Sequence, residues 1–187
     1  YSVEISSDNG RYRLAGENAT DFPQLRLAQK GVSVDMDAKV LKKAINQAIV
    51  ATSNDELKPA MNGIYMDFSE DSATFVATDG HRMVRYIRSD VGVATQQPFI
   101  VPHKTLTLLN ALLSHEHQTV NITFNDSHVY FKLANVSMVS RLIDERYPDY
   151  ANVIPANNTN KLTINRVSFL SSLRRISIYS NRTTHQI

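Results

Sequence analysis

Two short stretches bring together side chains able to do acid–base or metal chemistry. In Val76-Ala77-Thr78-Asp79-Gly80-His81-Arg82-Met83 a carboxylate and an imidazole stand two residues apart. Such a pair can serve as general acid and base or as two metal ligands. His115-Glu116-His117 offers a second imidazole–carboxylate group. Asp79, His81 and His115 together would suit a small metal-dependent hydrolase, which stands as the alternative reading. A plainer one competes with it. Asp-Gly is what a tight hairpin turn wants, because the glycine supplies a positive φ. His115-Glu116-His117 lies in a polar loop without a partner triad. The six glycines are scattered, so no phosphate-cradling loop is present, and no serine carries a nucleophile-elbow sequence. Cysteine is absent, which excludes disulfides, thiolate zinc sites and cysteine catalysis. The chain therefore reads as a non-enzyme, with no catalytic residues, no metal site and no cofactor.

The elements around these stretches recur in a fixed order. Val32–Val34 reads as a strand, and Asp37 can cap a helix reaching about Ala51. Gly63–Phe68, Ala73–Ala77 and Arg82–Ile87 alternate as strands joined by hairpin turns. The order then repeats. Phe99–Val101 is a strand and Pro102–Leu113 a helix with proline at its start, where no N–H is missed. Thr119–Phe124, Val129–Leu133 and Ser137–Leu142 are three more strands. Residues 32–142 thus spell β-α-β-β-β twice, an α+β pattern with a half-period of about 66 residues. A longer spacing of about 125–128 residues relates Arg13-Leu14…Phe22-Pro23 to Arg141-Leu142…Tyr147-Pro148. It divides the chain into the tail of one domain (1–30), a complete domain (31–156) and the head of another (157–187). The tail opens on a hairpin turning at Asp8-Asn9-Gly10, and the head holds a helix over Val167–Ile178.

The formal charge of +2, from 20 basic and 18 acidic residues, announces no partner by itself. Clustering has to do so. Unrolled at 100° per residue, the first helix puts Val40, Leu41, Ala44, Ile45, Ala48 and Ile49 on one side. Lys39, Lys42, Lys43 and Asn46 fall on the other. The second helix is expected to bury Leu106, Leu108, Leu109, Leu112 and Leu113 and to show His103, Lys104, Thr107 and Asn110. The third is expected to bury Phe169, Leu170, Leu173 and Ile176, with Arg175 among Ser168, Ser171 and Ser172. Lysines and small hydroxyl groups on acid-poor faces suit phosphate backbones without reading bases. Tyr147 is expected to pack rather than to wait for a partner. The six N-x-S/T triplets, at Asn18, Asn121, Asn125, Asn135, Asn157 and Asn181, are read as chance. The first residues carry no signal peptide, and no apolar run is long enough to span a membrane.

Three blocks carry a family resemblance: Val76-Ala77-Thr78-Asp79-Gly80-His81-Arg82, Ile100-Val101-Pro102, and Arg141-Leu142-Ile143-Asp144-Glu145-Arg146-Tyr147-Pro148-Asp149-Tyr150. Arg11–Pro23 and Asn62-Gly63 extend it. Together they resemble the bacterial DNA polymerase III beta subunit, the replicative sliding clamp, along essentially the whole chain.

The resemblance implies a DNA-clamp fold, with antiparallel sheets outside and helices lining the DNA side. It implies a ring that encircles duplex DNA regardless of sequence and tethers the replicative polymerase, without chemistry of its own. The full-length protein would be a head-to-tail homodimer of three-domain chains, cytoplasmic and nucleoid-associated, with no membrane partner. This chain would be the central domain with pieces of both neighbours, a partial clamp. DNA-facing residues would be Lys39, Lys42, Lys43, His103, Lys104 and Arg175. A groove taking short linear motifs of the polymerase III core and clamp loader would be lined by Met61, Thr78, Gly80, His81, Arg82, Met83, Pro148 and Val153. In it, Arg82 is expected to lay its stem along the wall, and His81 and Thr78 to supply polar contacts. Met61 and Met83 stand where the family leads one to expect leucine, and Lys58-Pro59-Ala60 lacks the aromatic pair that some members carry.

Overall fold

The computed structural model describes residues 1–22, 31–93, 96–113 and 119–181. Its packing divides the chain into a unit of residues 1–148 and a unit of residues 149–187.

The first unit begins with an isolated hairpin, β1 (Ser2–Ser7) and β2 (Gly10–Ala15). Val3 opposes Leu14 and Ile5 opposes Tyr12, so one side is apolar, and all four side chains are exposed. The remaining elements of this unit are β3 (Val32–Asp37), α1 (Ala38–Ala48), β4 (Gly63–Phe68), β5 (Ala73–Thr78) and β6 (Met83–Arg88). Then come β7 (Phe99–Pro102), α2 (His103–Leu112), β8 (Thr119–Phe124), β9 (His128–Lys132) and β10 (Ser137–Arg141). This is the doubled β-α-β-β-β order read from the sequence. The Asp37 cap is in place: its Oδ1 accepts the main-chain N–H of Lys39 at 2.8 Å and of Val40 at 3.3 Å. Pro102 differs from expectation. It ends β7 and stands before the helix, which begins at His103.

Pairing crosses between the two repeats. One antiparallel sheet runs β10-β9-β8-β3 and the other β6-β5-β4-β7. The first strand of each repeat thus completes the sheet of the other, which ties the halves into one body. Gly63 makes the β4–β7 pairing possible, since a Cβ there would lie 2.3 Å from the Val101 carbonyl oxygen. The core is one continuous cluster between the helices and the inner sheet faces. Ile64, Met66 and Phe68 enter it from β4, and Ala73, Phe75 and Ala77 from β5, as period-2 alternation requires. Phe68, Phe99 and Phe124 close the junction between the sheets, with the Phe99 and Phe124 rings 4.3 Å apart. Burying each such ring contributes about 1.5–3 kcal/mol.

Leu41, Ala44, Ile45 and Ala48 of α1 and Leu106 and Leu109 of α2 are buried as expected. Leu108 is not, at 57% exposure. At 100° per residue it falls about 200° from Leu106, on the far side of the helix.

In the second unit, α3 (Arg166–Ile176) is capped by Asn165, whose side chain accepts from Ser168 N. The expected burial of its apolar side is not seen. Phe169 and Ile176 are exposed, and Leu170 and Leu173 are half-buried. Among the described residues this unit contains no strand on which the helix could lie.

Candidate functional site

The turn between β5 and β6 is built by its own side chains. Thr78 Oγ1 donates to the Arg82 carbonyl at 2.8 Å and accepts from Gly80 N at 3.1 Å. Gly80 holds φ +90°, as the Asp-Gly reading requires. Asp79 Oδ1 accepts from the main-chain N–H of both His81 and Arg82 at 2.9 Å, and Oδ2 accepts from Arg82 Nε at 3.0 Å. Burial alone would raise the Asp79 carboxyl. The two amide donors and the Arg82 guanidinium outweigh it and lower the pKa from 3.8 to about 2. Asp79 therefore faces the His81 main chain, and its oxygens are taken by donors of the turn.

Two expectations about this turn change. Arg82 does not lie along a wall: its guanidinium folds back onto Asp79 and its side chain is 67% exposed. Thr78 is buried and spends its hydroxyl proton inside the turn. His81 is exposed. His115 lies outside the described residues, and among those described no group of three or more His, Cys, Asp or Glu is arranged to hold a metal ion.

Beside the turn, the outer face of the second sheet is covered by the chain that follows β10. Ile143 N donates to the Ile100 carbonyl at 3.0 Å. Tyr147 is buried, stacks on Tyr65 with ring centroids 4.8 Å apart, and donates its hydroxyl to the Val76 carbonyl at 3.4 Å. Val76 and Ile100 are buried here outside the main core cluster, which makes a second, small apolar core. Tyr147 packs as expected. The sequence reading missed its partner Tyr65, although the alternation of β4 already placed that side chain on the outer face. Met83 opens β6 opposite Thr78. Met61 ends the 3-10 turn Pro59–Met61 that leads into β4. Pro148 ends the first unit, half-buried, whereas Val153 belongs to the second and is 66% exposed.

The helices carry the other set of named residues. Neither α1 nor α2 contains an acidic residue. Lys39 and Lys43 are exposed and Lys42 is half-buried. Asn110 Nδ2 of α2 donates to Asn46 Oδ1 of α1 at 2.9 Å, so the polar sides of the two helices adjoin. His103 and Lys104 begin α2. Arg175 stands on α3 in the other unit, where its guanidinium donates to Ser171 Oγ at 3.2 Å and Ser172 Oγ at 2.9 Å.

Residues 35–149, which hold the doubled repeat except for the start of β3, match the family described as DNA polymerase III beta subunit, central domain. The chain belongs to this family. It is 27% identical over 188 residues to the beta sliding clamp of Bacillus subtilis (strain 168), covering 100% of this chain and 50% of that protein. It is 31% identical over 179 residues to the beta sliding clamp of Staphylococcus aureus (strain Mu50 / ATCC 700699), covering 95% of this chain and 47% of that protein. The fold superimposes on the crystal structure of the DNA polymerase sliding clamp from Bacillus subtilis with a TM-score of 0.88 and 26% identity, over 98% of this chain and 48% of that one. The chain thus spans about half the length of the curated relatives it matches.

Proposed function

We propose that this chain is part of a DNA sliding clamp, a processivity factor that tethers the replicative polymerase by surrounding duplex DNA. The central-domain match over residues 35–149, on a fold whose two adjoining helices carry lysines and no acid, is the observation behind this reading. In it, residues 31–156 are a complete clamp domain, residues 1–30 the tail of the domain before, and residues 157–187 the head of the domain after. Lys39, Lys42, Lys43, His103, Lys104 and Arg175 face the duplex, with lysines meeting phosphates as point charges and no base being read. Met61, Thr78, Gly80, His81, Arg82, Met83, Pro148 and Val153 take short linear motifs of the polymerase III core and the clamp loader. Full-length chains pair head to tail into a closed ring in the bacterial cytoplasm, on the nucleoid. Function then comes from topology and docking, with no covalent step and no cofactor.

The experiment is binding of this chain to fluorescent linear duplexes of unrelated sequence over a range of salt. Weak binding, equal for each sequence and falling steeply with salt, is expected, since every phosphate neutralised adds about 0.9 to the slope of log K against log salt. Lys42→Glu combined with Lys43→Glu should weaken it further. Tight, sequence-dependent binding that survives high salt would overturn the reading. So would a hydrolase or nuclease activity that co-purifies with the chain and is lost in His81→Ala.

A further inference from the structure

We infer that Lys58, Arg82 and Arg85 form a cationic rim that favours docking peptides with carboxylates beside their apolar residues, and that Arg85 sets this preference. The inference rests on the docking reading above and names the chemistry of its ligand. Lys58 stands just before the 3-10 turn Pro59–Met61, and its ammonium lies 3.9 Å from the point that a Cβ on Gly80 would occupy. It thus links the Met61 side of the wall to the turn that leads into Met83. Strand pairing sets Met83 opposite Thr78, Arg85 opposite Val76 and Ile87 opposite Thr74. Val84 and Tyr86, between them, pack against the main core, whereas Val76 lies outside it. Met83, Arg85 and Ile87 therefore share the outer face of β6, the edge strand of its sheet. Arg85 is exposed, and Ile87 beside it is 49% exposed.

The β5–β6 hairpin and the residues just after it hold three arginines, and two of them have a carboxylate of their own. Arg82 bonds Asp79 and Arg88 bonds Asp90. Arg85 faces only Val76 across the pair, with Thr74 and Thr78 on the diagonals. Among the described residues, neither the Arg85 nor the Lys58 side chain makes a hydrogen bond or ion pair. The other acids nearby are engaged or lie elsewhere. Asp67, in the row of Thr74 and Ile87, takes Gln96 on both oxygens. Asp144 and Glu145 lie between Ile143, bonded to β7, and Tyr147, stacked on β4, on the far side of the sheet from β6. Asp55 Oδ1 accepts from Leu57 N, and Glu56 lines a cavity beside His103 and Lys104. Uncompensated positive charge thus borders exposed apolar surface. A peptide that lays its apolar residues beside Met83 carries its flanks over Lys58 and Arg85. Carboxylates there gain ion pairs, and lysines meet like charge. A guanidinium can take a carboxylate through two parallel N–H bonds, which an ammonium cannot, so Arg85 weighs more than Lys58.

The experiment is an NMR titration of the labelled chain with three peptides that share the core Gln-Leu-Ser-Leu-Phe and carry two Asp, two Ser or two Lys on each side. At about 20 mM salt the Asp-flanked peptide should bind about 2- to 10-fold more tightly than the Ser-flanked one, and the Lys-flanked peptide most weakly. The differences should close at about 0.5 M salt, because exposed charges are screened. In Arg85→Gln the preference for Asp over Ser flanks should shrink about 1.5- to 5-fold. Lys132→Gln, the same loss of charge on the other sheet, should keep it. Equal affinity for the three peptides, an unchanged preference in Arg85→Gln, or an equal loss in Lys132→Gln would overturn the inference. With shifts still falling at Met61, Met83 and Pro148, any of these would leave the docking reading intact. No shift at those residues with any peptide would overturn both.

Discussion

Asp79 holds the β5–β6 turn with three donors on two oxygens, and the Arg82 Nε bond to Oδ2 needs a carboxylate. Its lowered pKa converts into a pH dependence whose sign is fixed. A carboxyl ionising at about 2 in the fold, against 3.8 for the free group, stabilises the folded state above pH 4. That contribution is lost as pH falls from about 4 toward 2, because the unfolded chain then takes up the proton first. Asp79→Asn should lose it at every pH, costing about 1 kcal/mol at neutral pH in chemical denaturation. It should also flatten the acid limb below pH 4, and an unchanged limb would mean that the turn does not depend on the charge. The Asp-Gly pair was legible in the sequence because turn chemistry is local. The path of Arg82 was not, because a long flexible side chain chooses among partners only once the turn has formed. Nor was the hydrogen bond between the Thr52 hydroxyl and the His103 ring, whose partners lie 51 residues apart in the sequence.

Strand exchange between the repeats makes β4–β7 pairing a joint of the fold, and Gly63 is its tightest point. A methyl group there meets the Val101 carbonyl oxygen at 2.3 Å and the Val101 carbonyl carbon at 2.9 Å. Backbone on both sides cannot step aside as a side-chain tip could. Gly63→Ala should destabilise the chain by about 1–3 kcal/mol, read as a lower denaturation midpoint. Hydrogen exchange should quicken first along Phe99–Val101, and protection equal to wild type there would refute the assignment. The order of elements was readable because each has its own period and punctuation. The exchange was not, since nothing in the alternation of Phe99–Val101 says which sheet receives it. Leu108 illustrates a different failure. Four other leucines surround the apolar side of α2, and its angle, not its type, decides that it faces out. In α3 the pattern is amphipathic but the described unit offers no sheet, so apolar spacing alone did not predict burial.

For the molecule as a whole, the proposed groove has its wall in residues 1–148. There Tyr147 stacks on Tyr65 and bonds the Val76 carbonyl, two residues before Thr78, which pairs with Met83. Val153 belongs to the other unit, where it is exposed. A short peptide of the type Gln-Leu-x-Leu-Phe should dock near Met61, Met83 and Pro148. Its affinity would come mainly from apolar burial, at about 25 cal/mol per Å² before ordering costs. Methionine can reshape to meet leucine or phenylalanine, so the substitutions at Met61 and Met83 should alter fit more than they remove it. With the polar groups of Thr78 and Asp79 already engaged in the turn, exposed His81 and the outer nitrogens of the exposed Arg82 guanidinium are polar contacts that can orient the peptide. Binding should be weak, on the order of Kd 10–1000 μM, roughly −7 to −4 kcal/mol. Met83→Glu should abolish it, because the peptide would then bury a charge without a partner. The measurement is an NMR titration of labelled chain with the peptide. Shifts at Met61, Met83 and Pro148 that vanish in Met83→Glu are expected. Shifts confined to Lys39, Lys42 and Lys43 would show instead that the peptide meets the helix surface and that the wall beside Met83 is not the docking site.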